Sequence, residues 1–454
     1  MGADGVFARL RFALVQPVDN ASVSLYRIVF GLLMCVAVGR FFVSGWIAEY
    51  YVDARFFFPF FGLEWLKPLP GAGMYGVFAL MGLAAVGITL GLFFRASAAV
   101  FTVLFTYAHL VDKTHYLNHY HLVSLLSALF VLLPLNRRLS LDVRRDPSLA
   151  SATVPAWVLW LLRGQIGCVY FFGGVAKVNA DWLLRAQPLR IWLAASGDFP
   201  IVGPWLVRPE TAYFMSWFGL LFDLSVPFLL LFRRTRAPAY ASLICFHVVT
   251  GRLFQLGMFP WIMSLSALLF FPPETAARLL VRCRGSVIQR TDPTRPQVLG
   301  RATFAALALY ALVQIGLPLR QFLYPGNACW TEQGYFFAWK VMLMEKNGDT
   351  EHWIVDTVTH RRYLAEPRDV LTPYQRKVMS TQPTMILAYA RYLGTLWERK
   401  LGHPVEVHVE SFVSLNGAPR RRLIDREVDL SRERDGLTPR TWILPLSNER
   451  SPHK

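Results

Sequence analysis

The chain is 454 residues long, 54% hydrophobic and 14% aromatic, and only 17% of its residues are charged. The charges are gathered in short segments between long apolar blocks, which excludes a soluble enzyme with one large core and points to a polytopic membrane protein. The formal charge of +17 does not indicate nucleic acid, because the arginines cluster where connections between spans fall.

In chain order, "VFARLRFALVQPV" reads as a short interfacial amphipathic piece leading into a retained first span, not as a cleavable signal. Apolar runs near residues 22–40, 73–93, 96–111, 119–135, 154–177, 211–232, 237–252, 254–272 and 301–319 predict about nine transmembrane helices. The seventh is short for ~30 Å of hydrocarbon and is expected to be tilted or re-entrant. Three connections carry the arginines: Arg137, Arg138, Arg144 and Arg145; Arg233, Arg234 and Arg236; and Arg278, Arg282, Arg284, Arg290 and Arg295. Span counting puts all three on the side of the N-terminus, with Arg9 and Arg11, and the positive-inside rule makes that side cytoplasmic. Residues 41–72, 112–118, 178–210 and those after about 320 then face the other side. Only Cys329 of the five cysteines falls clearly there, so no structural disulfide is expected.

Beyond residue 320 the pattern changes. "EHWIVDTVTHRRYL" and "VEVHVESFVSLNG" alternate like strands, the second with Val405, Val407, Val409, Val413 and Leu415 on one face. The segment between them reads as helical, capped by Thr372 with Pro373 at the first position, and Pro383 is expected to divide it. The expected fold is therefore an α-helical polytopic membrane domain, residues 1–319, followed by a small extracytoplasmic α+β domain, residues 320–454. No linker separates them, so the tail is expected to sit directly on the outer ends of the spans.

Three polar clusters interrupt the apolar background: "HLVDKTHYLNHYH" from His109 to His121, Lys177 with Asn179 and Asp181, and "FHVVTGRLFQLGMF" with His247 and Arg252. All three fall toward the outer side, which favours one shared site. Each also has a plainer role. Lys177 at a helix end can snorkel to the interface and pair with Asp181 at i,i+4. His247 suits an interior hydrogen bond, and Gly173 and Gly174 suit close helix packing or room beside the lysine for a flat ligand. His115 and His119 have ligand spacing on a helix, but no Glu or Cys accompanies them, and no metal is expected. A partly desolvated amine among Tyr170, Phe171 and Phe172 can act as a general base. From the residues alone, this is a site for a lipophilic, weakly acidic ligand.

The motifs "DKTHYLNHYHLVSLL", "VYFFGGVAKVNADW", "FHVVTGRLFQLGMF", "CWTEQGYFFAWKVM", "FVSLNG", "DREVDL" and "RTWILPL" occur in this order. Together they resemble the vitamin K-dependent gamma-glutamyl carboxylases and their bacterial relatives, the horizontally transferred transmembrane domain proteins. The resemblance implies Lys177 as the catalytic base, with Asn118 and His119 stabilising oxyanions. It implies quinol contacts at His247, Tyr170, Phe171 and Met258, and glutamate positioning by Tyr335, Trp339 and Arg376. It implies reduced vitamin K (menaquinol or phylloquinol) as cofactor, with O2 and CO2 as co-substrates. An oxygen-derived base would take the γ-proton of a glutamate, and CO2 would add to give γ-carboxyglutamate and quinone epoxide. The implied partners are a glutamate-containing peptide or protein, membrane lipid and a quinone reductase that recycles the cofactor. The implied place is a bacterial inner membrane, with no nucleic acid involved. The chain departs from the family at Met344 and Lys346, where a His and an Arg are expected, and its lysine motif opens with Ala176. Quinol epoxidation without glutamate carboxylation therefore stays open, as does a non-enzymatic transporter or receptor, although the interrupted repeat a transporter would carry is not visible.

Overall fold

The computed structural model describes residues 9, 11–254, 256–284 and 300–446. Arg290 and Arg295, and residues 6–8 and 10 of the amphipathic N-terminal piece, lie outside the described residues. The helical part runs through α1 (Ala21–Val43), α2 (Gly73–Leu90), α3 (Phe94–Val111), α4 (Asn118–Leu132) and α5 (Ala156–Ala176). It continues through α6 (Pro209–Leu229), α7 (Arg236–Phe254), α8 (Phe259–Ser266), α9 (Pro273–Arg284) and α10 (Arg301–Leu319). Six of these, α1, α2, α3, α5, α6 and α10 with the turn that follows it, are long and apolar enough to cross a membrane. The other three expected spans are helices too, but they differ. α4, and α8 with its following turn, are shorter, while α7 carries His247 and Arg252 in its second half. Six spans are therefore supported where about nine were expected.

Helix ends explain several boundaries. α2 stops at Gly91, whose φ of 62° is the left-handed cap conformation that glycine adopts without a Cβ penalty. The last carbonyls of that helix then need donors. Arg27, buried in α1, donates to the Ile88 and Thr89 carbonyls at 2.6 and 2.7 Å and to the Leu139 carbonyl at 2.6 Å. One intramembrane arginine thus ties α1, the end of α2 and the following connection together. Consecutive helices α1 to α4 pack pairwise, and α5 packs along α6. By contrast, only Gln314 and Pro318 of α10 are buried; Tyr310 on that helix donates to Gln165 Oε1 of α5 at 2.5 Å.

In the tail, β3 (Lys346–Asp356), β4 (Arg362–Leu364), β5 (Val405–Leu415) and β6 (Arg421–Arg422) form an antiparallel sheet of order β4-β3-β5-β6 (β1 and β2, Pro17–Asp19 and Thr153–Pro155, pair with each other in the helical part). Trp353 lies opposite His408 across the central pair. The five residues expected on one face of β5 are all buried, against Met385, Ile386, Tyr389 and Leu393 of α12 (Pro383–Leu401). Thr372 caps α11 (Pro373–Met379) in a reciprocal capping box with Gln375, and the break falls before Pro383 as expected.

His352 of β3 is buried under α12, with Nε2 within 3.3 Å of the Ile386 carbonyl and the ring edge-on to Tyr389. Burial pushes its pKa down to about 4. The unfolded chain, titrating near 6.5, binds more protons across that interval, so the tail is expected to lose stability as pH falls from about 6.5 to about 4. Thermal unfolding of the full chain at both pH values checks this. His352→Phe should shrink the difference, and an unchanged difference in the variant would exclude the histidine as its source.

The tail sits directly on the helical part. Asp112 accepts from Gln375 Nε2 at 3.0 Å, and Lys113 Nζ donates to Thr384 Oγ1 at 3.1 Å. Asn416 donates to Asp181 at 2.9 Å, and Trp192 to Glu345 at 2.7 Å. Each helical-part partner comes from the connections 112–118 and 178–210. Burial of the Lys113 ammonium between the two parts lowers its pKa to about 8.

Candidate active site

α5 ends at Ala176, and Lys177 is its cap residue. Its ammonium is buried inside the protein. Lys177 is 6% exposed; Nζ donates to Asp223 Oδ2 at 2.7 Å and to the Gly173 carbonyl at 3.1 Å, and lies 5.2 Å from the Trp182 ring. Two sequence expectations are corrected here. Asp181 pairs with Arg185 instead, at 3.0 Å. The amine is not solitary, because a buried carboxylate on α6 faces it. Lysine and aspartate form one buried ion pair between α5 and α6.

The pair exists because α5 and α6 approach closely at Gly174. A Cβ there would meet the Leu224 side chain and its backbone nitrogen at 2.8–2.9 Å, so any larger residue forces the helices apart. The next residue in each direction, Gly173 and Asp223, lines the same cavity. Asp223 was not singled out from the sequence. Its signal was available: a lone carboxylate within "LLFDLSVPF", since intramembrane acids are costly and rarely idle.

The cavity beside Lys177 is small, about 70 Å3, and is lined by Tyr170, Gly173, Lys177, Trp182, Asp223 and His247 among others. Tyr170 Oη and His247 Nε2 lie 2.7 Å apart, and His247 Nδ1 has no partner among the described residues. A second cavity of about 780 Å3 adjoins it. The two share Phe254, Leu256, Phe259, Val341 and Met342 as lining residues. Its walls are aromatic, with His115 stacked on Tyr50 at 4.0 Å and facing Tyr374 at 5.5 Å. Asn118, His119, His109 and Met258 also line it, and His109 Nε2 is a buried nitrogen without a partner among the described residues.

The clusters expected to form one site therefore occupy two adjoining chambers, Lys177 and His247 in the smaller and the His109–His119 group in the larger. His115 and His119 do not share a helix: His115 lies in the turn before α4. Phe171 packs on Phe172 and Phe228 and lines neither chamber. Tyr335, Trp339 and Arg376 line neither chamber; Trp339 is buried against His121. Part of the shared wall is a strained segment: Val341 and Met342 line both chambers, and Phe337, Trp339 and Met342 all hold positive φ, between 54° and 59°. Non-glycine residues bear that cost only where the surroundings enforce it, and such strain gathers at functional sites. Asn118 helps enforce it by donating to the Lys340 carbonyl at 3.0 Å.

Fold and site together define a helical membrane protein whose buried lysine–aspartate pair adjoins a ligand-sized aromatic chamber, closed over by an α+β tail. The HTTM domain family model matches residues 15–274, and the model for the vitamin K-dependent gamma-carboxylase lumenal domain matches residues 300–449. The chain belongs to the gamma-glutamyl carboxylase family. No solved structure matches it.

Proposed function

We propose that the protein oxidises a reduced naphthoquinone and couples that oxidation to carboxylation of glutamate side chains with CO2 and O2. The observation that carries this is the placement of the Lys177–Asp223 pair in a small cavity that adjoins a larger chamber of the size and lining a quinol needs. A volume of about 70 Å3 is below the ~150 Å3 of a cavity that takes benzene. The larger chamber, about 780 Å3, falls within the ~300–1,000 Å3 of ordinary ligand pockets. His109 Nε2, in the larger chamber, has no partner among the described residues and is free to meet a quinol oxygen, while His247 Nδ1 lies in the smaller cavity beside it. The residues present thus fit a bicyclic quinol in the larger chamber, with Tyr50, Phe259, His119 and Met258 around it.

When bound, the reduced quinone supplies with O2 an oxygen base stronger than any side chain. The protein's own groups have simpler tasks. The Lys177–Asp223 pair holds one mobile proton and can accept a second, whichever of the two carries the first. Tyr170 orients His247. Asn118 and His119 can offer N–H donors to developing negative oxygen. The aromatic walls exclude water, which would otherwise consume a strong base. In this reading residues 1–319 form the quinol-binding membrane domain of a bacterial inner-membrane protein, with the N-terminus cytoplasmic. Residues 320–454 present the acceptor outside, and a quinone reductase returns the cofactor to its reduced state.

Quinol epoxidation alone is the second reading. It is favoured by Tyr335, Trp339 and Arg376 lining neither chamber, and by Lys346, which is held in an ion pair with Glu332 at 2.6 Å. One reaction separates the two. Purified protein is given reduced vitamin K, O2, labelled bicarbonate and a glutamate-containing peptide, and epoxide and fixed label are assayed together. Both products establish the carboxylase, epoxide alone selects the second reading, and neither product from folded protein refutes both.

A further inference from the structure

The two chambers differ in charge. In the smaller, Lys177 and Asp223 compensate each other. In the larger, Arg40 is the one Arg, Lys, Asp or Glu among the described lining residues. Arg40 lies in the last turn of α1 and its guanidinium stands over the Trp46 ring at 5.1 Å. Among the described residues no carboxylate lies within ion-pair distance of it. An arginine near a helix end often serves only to snorkel to the interface. That role does not account for a half-buried guanidinium lining a chamber and backed by an indole. Leaving a guanidinium without an anion in such a place is costly, and a ligand that brings a carboxylate removes the cost.

We propose that the larger chamber binds a carboxylate and that Arg40 is its counter-ion. Taken with the proposed function, on which this assignment of the ligand rests, the carboxylate is the γ-carboxylate of the acceptor glutamate. Lys113 Nζ is engaged by Thr384, and Lys346 by Glu332 and the Trp330 and Thr381 carbonyls. The pairing also has chemical value. Losing a proton from the carbon side of a carboxylate concentrates a second negative charge on a small group, and a paired guanidinium offsets it. The chamber's volume leaves room for an amino-acid side chain beside a bicyclic ring.

The test uses the full chain in detergent and needs no quinone. Binding of a fluorescent glutamate-containing peptide is compared with that of its glutamine counterpart, and oleate is the competing carboxylate. Wild-type protein is expected to prefer the glutamate peptide, and Arg40→Gln to weaken that binding by about 10–100-fold without weakening the glutamine peptide. Arg40→Lys, which keeps the charge but loses the planar fork, should recover part of the loss and guards against misfolding of the first variant. Binding within twofold of wild type in Arg40→Gln overturns the proposal, as does equal loss for both peptides. Oleate bound through Arg40 with no affinity for the glutamate peptide overturns the acceptor assignment. Arg40-dependent preference for glutamate in protein that forms neither epoxide nor labelled product upholds the carboxylate site and refutes the proposed chemistry, so the two fail separately.

Discussion

Lys177→Met is expected to slow turnover of reduced naphthoquinone by about 10²–10⁴-fold, the usual contribution of a positioned acid–base group. The substitution keeps most of the side-chain length and removes the proton-carrying atom. It also strands Asp223, a buried carboxylate whose partner stood 2.7 Å away, so lost activity alone would not separate chemistry from misfolding. The pair supplies its own control. Breaking one partner of a buried ion pair is strongly destabilising, whereas replacing both by apolar groups is often neutral. Lys177→Met and Asp223→Leu should each lower thermal stability, and the double variant should regain most of it. Turnover should remain lost in all three. Turnover that returns with stability in the double variant would show that the pair only holds α5 against α6. Asp223→Asn adds a sharper discriminator: it keeps the shape and removes one proton site, so a catalytic pair predicts a displaced pH–rate profile and a structural pair predicts the wild-type profile.

What the sequence disclosed and what it withheld divide along a physical line. Local rules found the helices, because apolar length and glycine or proline punctuation act over a few residues. Thr372, Pro373 and Pro383 located both tail helices, and the alternation from Val405 to Leu415 located the face that is buried. The apolar run near 73–93 overruns α2 by three residues because the Gly91 cap ends the helix. Pairings across the fold were not legible. Lys177 and Asp223 are 46 positions apart, and the nearer Asp181 looked the better partner by spacing. Nothing local says that Val341 and Met342 reach back from the tail to stand between Lys177 and the His109–His119 group, or that Lys346 spends its charge on Glu332. Arg40 was invisible for the opposite reason: an arginine near the end of an apolar helix is ordinary, and only the chamber it lines makes its missing partner informative.

The Lys346–Glu332 pair carries the second large effect. Its side chains are 4% and 1% exposed and 2.6 Å apart, and Lys346 also donates to the Trp330 carbonyl at 2.9 Å. Glu332 opens the strained segment, itself at a φ of 56°, while Lys346 begins β3. The pair therefore clips the start of the strained segment to the first residue of β3. Glu332→Ala leaves an ammonium buried without its anion, at a cost of about 3–5 kcal/mol, which should appear as a lowered unfolding temperature and faster proteolysis within residues 332–342 of the full chain. Glu332→Leu with Lys346→Met should restore stability. The partition gives this comparison a functional side. If positive φ at Trp339 and Met342 is maintained by the clip, the single variant loses quinol turnover even at temperatures where it stays folded, because the wall between the chambers relaxes. Full turnover in folded Glu332→Ala protein would assign the strain to the Asn118–Lys340 contact instead.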